Sequence, residues 1–459
     1  MEKNYMEQLL AQIREKRARE SVQREVEDHI QEQKASYMAD GMTEELAEKK
    51  AVADMGDPIE TGIALDQIHR PRPAWGMLAI IAALCATGVF LEYMIQTTRF
   101  STEPNPSAFQ NQCIYATVGF LILCGVYLMD YTRIAKYARH ICTGILLLLL
   151  ITLTGWIPVF QIRKSLYLTN FYISMDILFY LYLPVYGAVL YSLRSSGTRK
   201  LWNLLFYTIA PIFLAFRSAH LSVAINITVI IFILFLTALT KEWFAALSGK
   251  RPAYTWLLCF CGAGCLLLPI LLFTTGHLAP YQITRLKAWL HPDAFAKEAG
   301  YISTIIHNIL NSSQLIGQNT ALLVSDYPVE FTRSYLLTYI TGTFGILAAV
   351  ALIALIGLLG AKFLHICIRQ KNQLGMIMGL GCSLSFILQS VEYVLINLSL
   401  LPPGGLYFPL VSYGGSGMLQ TCILLGILLS TYRYENILSE PPYRNASVKM
   451  CRKTEIKNI

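Results

Sequence analysis

The chain has 459 residues, of which 54% are hydrophobic and 14% charged, with a formal net charge of +8. A soluble protein carries about 25% charged residues, so this composition excludes a purely soluble enzyme. Residues 1–70 hold 10 Lys+Arg against 16 Asp+Glu and the remainder 27 against 13. The basic excess therefore accompanies the apolar runs and reads as a topology signal, not a nucleic-acid footprint.

Residues 1–70 are charged and helix-forming, and no cleavable signal peptide is visible in them. Gly41 is placed to end one helix and Thr43 to cap the next, with Glu44 and Glu45 in its first turn. Asp57-Pro58 forms an N-cap, N1 pair. The stretch "HIQEQKASYMADGMTEELAEKKAVADMGDP" resembles the small cytosolic prefix domain found ahead of several bacterial membrane proteins. That resemblance implies an unknown protein partner; a solvated helical cap explains the same residues. Arg70-Pro-Arg-Pro73 is a linker.

Ten apolar runs follow, at about 76–97, 111–129, 141–160, 171–193, 201–216, 219–239, 255–275, 335–359, 375–399 and 407–431. Each approaches the ~20 residues that cross a bilayer core. The fold class expected is all-α: a polytopic membrane protein with about ten transmembrane helices and a small N-terminal helical cytosolic domain. Four short loops on one side carry three Lys or Arg each, for example Arg133, Lys136 and Arg139. The positive-inside rule then puts both termini in the cytoplasm. It leaves one long outer loop at about 276–334, a transmembrane domain at 71–435 and a basic tail at 436–459. Cys259, Cys261 and Cys265 share a run with no His or carboxylate beside them and read as packing residues.

Ionisable residues inside spans are costly and mark polar cavities or helix-locking hydrogen bonds. Asp176 and Glu392 raise both alternatives; His220 sits at a run's outer start, and Glu92 reads as a span-end residue. The last run opens with "YFPLVSYGGSGML", whose Pro, Ser and Gly make poor lipid-facing helix. Irregular backbone at membrane depth belongs at a cavity or a packed seam. Ser412 and Ser416, four apart, are expected to share a helical face. Gly414 and Gly415 permit close approach by a helix or ligand. A helix start here would offer N–H groups to a phosphate.

That segment resembles the C-terminal signature of the SEDS family, the bacterial shape, elongation, division and sporulation proteins. The shared frame is Leu401-Pro402, Gly405, Pro409 and Val411-Ser412-Tyr413-Gly414-Gly415-Ser416, with Gln389 thirteen residues before Pro402. A second match lies in the long loop, at Pro280-Tyr281-Gln282, Arg285, Pro292 and Gly300-Tyr301.

The resemblance implies a bacterial plasma-membrane protein that handles a lipid-linked disaccharide-pentapeptide, the peptidoglycan precursor, in division, shape control or sporulation. It implies a glycosyltransferase with a class B penicillin-binding protein as partner; a divalent cation is a candidate cofactor that no residue demands. The family's essential carboxylate position is Phe295 here and the next is Ala296, leaving Asp293 as the nearest acid. In extended chain that two-residue shift spans about 6.6 Å. Asp176 stands where the family's Q-P-S-E run has glutamate, His220 where P-D-L-G-T has aspartate, and Glu330 keeps the acid of H-T-D-F. The paired glutamates of the eighth span are absent. Three readings stay open: a glycosyltransferase with Asp293 as base and with Arg285, Asp176, Gln389, Ser412, Gly414, Gly415 and Ser416 binding substrate; a silent scaffold or regulator; and a precursor transporter.

Overall fold

The computed structural model describes residues 2–98, 107–154, 165–168, 171–174, 176–194, 198–217, 221–244, 280–297, 300–318, 329–404 and 407–436. The chain forms two compact units. One joins Met1–Pro73 with Gln370–Gln373 and the segment from Tyr432; the other holds Ala74–Arg369 and Leu374–Thr431.

The first unit contains α1 (Glu2–Gln12), α2 (Lys16–Ala39), α3 (Glu44–Asp54) and α4 (Pro58–Ile68). Helix α1 packs on α4, and α2 on α3. In α2, Ala18, Val22, Val26 and Ile30 recur every four residues and are buried, which is the apolar stripe of an amphipathic helix. Asp57 caps α4 by accepting the Ile59 N–H, with Pro58 in the first turn. Thr43 stands at the N-cap of α3 without a side-chain cap hydrogen bond, contrary to expectation. Within this unit the Arg72 N–H donates to the Arg433 carbonyl at 3.0 Å.

The second unit is a helix bundle. It runs α5 (Trp75–Thr98), α6 (Ala108–Leu128), α7 (Tyr131–Lys136), α8 (Ala138–Thr154), β1 (Ser165–Leu168), β2 (Phe171–Ser174), α9 (Asp176–Ser192), α10 (Thr198–Arg217) and α11 (Leu221–Thr240). It continues with α12 (Pro280–Leu290), a 3₁₀ turn (Pro292–Phe295), α13 (Tyr301–Ser312), α14 (Val329–Ser334), α15 (Leu336–Phe344), α16 (Ile346–Arg369), α17 (Gln373–Asn397) and α18 (Gly415–Arg433). Six of these are long and apolar enough to cross a membrane: α5, α6, α11, α16, α17 and α18. Shorter apolar helices lie in α8, α9 and α10. The apolar run at 255–275, with its three cysteines, lies outside the described residues.

Three runs depart from what their hydropathy suggests. The fourth opens not as helix but as an antiparallel hairpin, Ser165 opposite Ser174 and Leu168 opposite Phe171, before α9 starts at Asp176. The eighth is split at Gly345, whose φ of +96° suits glycine and where a Cβ would lie 2.7 Å from the Leu315 carbonyl. The last becomes helical only at Gly415. The described parts of the long loop are largely helical. Ile305, Ile306 and Ile309 of α13 pack with Phe331, Tyr335 and Ile396, each such side chain contributing about 1.5–3 kcal/mol on burial.

Candidate functional site

Polar side chains gather in two places, around the turn ahead of α18 with the C-terminal end of α5 and Arg333, and where the C-terminal end of α17 meets the N-terminal ends of α9 and α11. The turn is the backbone element of the first. Ser412, 2% exposed, accepts the Phe408 N–H at 2.8 Å and donates to the Phe408 carbonyl at 3.2 Å. Ser412 therefore closes the turn that replaces the missing helical hydrogen bonds. It precedes α18, so Ser412 and Ser416 do not share a helical face as the spacing suggested. Leu410 inside the turn has φ +69°, a strained value for a branched side chain, and is fully buried.

Glycines let neighbours reach this turn. A Cβ on Gly88 of α5 would lie 2.4 Å from the Val411 carbonyl oxygen. One on Gly415 would lie 2.9 Å from the Tyr115 ring, and one on Gly417 2.2 Å from the Tyr407 ring. Gln112 of α6, wholly buried, donates to the Ser412 carbonyl at 3.4 Å, and its Oε1 has no hydrogen-bond partner among the described residues.

Beside the turn lies a buried ion pair that sequence reasoning missed. The Arg333 Nε and Nη2 donate to Glu92 Oε1 at 2.8 and 2.5 Å, with Glu92 3% exposed. Glu92 is therefore no mere span-end residue. The Arg333 guanidinium lies 5.1 Å from the centre of the Tyr413 ring, within cation–π range. Tyr413 in turn sits 6.0 Å from Tyr115, centre to centre. The available signal was a charge inside an apolar run; its partner on α14 was not legible.

A second constellation joins α9, α11 and α17. Asn226 spends both amide hydrogens, one on Glu392 Oε2 at 2.6 Å and one on the Tyr180 hydroxyl at 3.2 Å. Ser222, one turn before Asn226, also hydrogen-bonds Glu392. Asp176, one turn before Tyr180, exchanges hydrogen bonds with Ser174 at 3.0 and 3.3 Å. At the first turn of α9 its charge also suits the helix dipole. Gln389, three residues before Glu392, accepts from Gln420 of α18 at 3.1 Å. Helix α17 thus carries both Glu392 and Gln389, and its Tyr393 ring stacks on Phe408 of the turn, 4.6 Å between centres.

The side chains of Arg285 and Asp293 lie outside the described residues, as does His220. Their backbone places Arg285 on α12 and Asp293 in the 3₁₀ turn with Phe295. At about 2.0 Å rise per residue, Asp293 and Phe295 are closer along the chain than an extended loop would set them. Gly300 fits over this turn, donating its N–H to the Phe295 carbonyl at 3.0 Å. Among the described residues no three His, Cys, Asp or Glu side chains come together as a metal site requires.

A profile of the FtsW/RodA/SpoVE cell cycle protein family matches residues 75–437. A probable peptidoglycan glycosyltransferase FtsW of Geobacter sulfurreducens is 23% identical over 371 residues, covering 77% of this chain and 93% of the relative. One of the same description from Trichlorobacter lovleyi is 24% identical over 180 residues, 39% of this chain. This second match spans only 47% of the relative's length. A chain in a peptidoglycan synthase complex, solved to show how polymerization and crosslinking are coordinated, superposes with TM-score 0.58 at 20% identity. That superposition covers 79% of this chain and 98% of the other. The rod shape determining protein RodA of Thermus thermophilus superposes with TM-score 0.50 at 17% identity, covering 79% and 97%. At such identities the likeness is one of fold. The profile match, extending from the first apolar helix past the end of the last, carries the further conclusion: this chain belongs to the FtsW/RodA/SpoVE family of multi-pass membrane proteins, the SEDS family.

Proposed function

We propose that this protein assembles peptidoglycan at the plasma membrane, taking a lipid-linked disaccharide-pentapeptide at the outward end of its bundle and transferring the glycan to an acceptor hydroxyl. The observation that carries this reading is the non-helical turn Tyr407–Gly414 ahead of α18. It is packed against Gly88 and flanked by the buried Glu92–Arg333 pair and the Glu392 network. Irregular backbone and buried charge at membrane depth suit a polar cavity. The transfer requires a base near the acceptor oxygen and cationic or N–H groups near the departing pyrophosphate. In this reading Arg285 and the head of α18 face the pyrophosphate, both termini are cytoplasmic and a class B transpeptidase is the partner. The similar chain's place in a peptidoglycan synthase complex supports the last point. Residues 1–70, read as a cytosolic domain, supply a further contact surface.

Phe295, in the position where the family resemblance implies a carboxylate, favours a second reading: a silent relative that binds the lipid or its partner as a scaffold. Incubation of the purified protein, alone and with a class B transpeptidase, with lipid-linked disaccharide-pentapeptide decides between them. The transferase forms glycan polymer in detergent, where no second compartment exists and a transporter would leave the lipid unchanged. Lipid binding without polymer identifies the scaffold.

A further inference from the structure

We propose that Glu392 is the carboxylate that takes the acceptor's proton, so that the base of the transfer lies within the helix bundle and not on the segment 280–312. This rests on the reading of the site as a glycan-transfer centre. Three helices deliver the groups: Glu392 from the last turns of α17, Asn226 from the second turn of α11 and Tyr180 from the second turn of α9. Asn226 and Tyr180 are buried, at 7% and 3% exposure, as are Gln389, Ser390 and Tyr393 around Glu392 on its own helix. Glu392 itself keeps intermediate exposure. A carboxylate kept only to lock helices together would be enclosed with its partners. This one accepts from the enclosed Asn226 amide and from Ser222 while staying half-exposed.

The Asn226 amide is itself fixed, because its second N–H is committed to the Tyr180 hydroxyl. The carboxylate is therefore oriented by a rigid donor, as a base that must meet a hydroxyl within hydrogen-bond distance needs to be. Keeping an acid at membrane depth costs several kcal/mol unless it faces a protein or water-filled cavity.

In the step, the acceptor hydroxyl gives its proton to Glu392. The oxygen's electron pair forms the new glycosidic bond to the donor's anomeric carbon. The bond from that carbon to the pyrophosphate oxygen breaks, and its electron pair leaves on the polyprenyl pyrophosphate. The proton on Glu392 passes to water before the next turnover.

The test uses the full-length protein with its class B partner and measures lipid binding, initial polymerisation rate across pH, and thermal stability for Glu392→Gln, Glu392→Asp and Asp293→Ala. The expected result is a loss of about 100-fold or more in rate for Glu392→Gln, with lipid binding kept within about twofold. Glu392→Asp should retain a measurable rate with its pH limb displaced, and Asp293→Ala should polymerise like the unsubstituted protein. Unchanged polymerisation by Glu392→Gln, or its loss in Asp293→Ala, overturns the proposal. So does a Gln variant that loses lipid binding in step with rate. Should Glu392→Gln unfold, the Asp variant decides, and an unmoved pH limb counts against Glu392. If the unsubstituted protein binds the lipid but makes no polymer, the base is refuted while lipid recognition stands; if it does neither, both fall.

Discussion

Glu92 and Arg333 stand 241 residues apart in the chain and meet as a buried pair. Removing one partner of a buried pair strands the other charge and costs about 3–5 kcal/mol, whereas replacing both with apolar groups is often neutral. Glu92→Ala is therefore expected to destabilise the protein strongly in detergent, and Glu92→Leu/Arg333→Leu much less than the two single changes combined. Unfolding curves of the four proteins check this; additive losses would mean the pair is not coupled. In the first unit, Asp66 accepts the Arg14 N–H at 2.9 Å and the Arg70 guanidinium at 2.9 and 2.7 Å. Burial by itself raises its pKa, yet these hydrogen bonds and positive charges hold it below the usual 3.8. A lowered carboxylate stabilises the fold fully above its ordinary value and loses that contribution as pH falls through the folded value. Amide exchange across residues 58–70, corrected for its intrinsic pH dependence, should thus accelerate below about pH 4. Asp66→Asn should exchange faster at neutral pH and lose that acid dependence.

At the scale of elements, hydropathy located the helices while backbone chemistry set their limits. The final run is apolar from 407, but Pro409 and the glycine pair keep it from winding until Gly415. The Tyr407 ring then occupies the space beside Gly417. A methyl group there would overlap the ring, so Gly417→Ala should cost about 1–3 kcal/mol through overpacking. Adding Tyr407→Leu should recover part of that loss. Gly415→Leu should be more damaging, since Tyr115 fills that space with a ring. Thermal stability of these variants and of Tyr407→Leu alone measures the coupling; a Gly417→Ala protein as stable as its parent would show that the ring moves aside freely. The same reasoning explains the eighth run. Uniform apolarity hides Gly345, whose positive φ and contact with the Leu315 backbone divide one stretch into α15 and α16.

For the whole molecule, the proposed orientation predicts that positions at Glu242 and Leu290, both exposed, face opposite sides of the membrane. In intact cells a membrane-impermeant maleimide should label Leu290→Cys and spare Glu242→Cys, each compared with the unsubstituted chain; the reverse pattern would invert the topology. Much of the design was legible in the sequence. Length and density of apolar runs determined a multi-pass helical protein, because a bilayer admits few other ways to satisfy backbone polar groups. Tyr413-Gly414-Gly415-Ser416 and its flanks carried the family signature. Asp176 and Glu392 were visible as charges out of place, and Gln389 as part of the family frame. Their partners were not. Asn226 reaches Glu392 across 166 residues and Gln420 meets Gln389 across 31. Periodicity reports only which face of a helix is apolar, not which helix that face will meet. The sequence by itself thus determined membrane class and the approximate positions of most of the described apolar helices. Tertiary structure decided that Ser412 closes that turn, that Glu92 is paired, and that Glu392 meets Asn226. Each of these depends on distances between helices that local sequence does not encode.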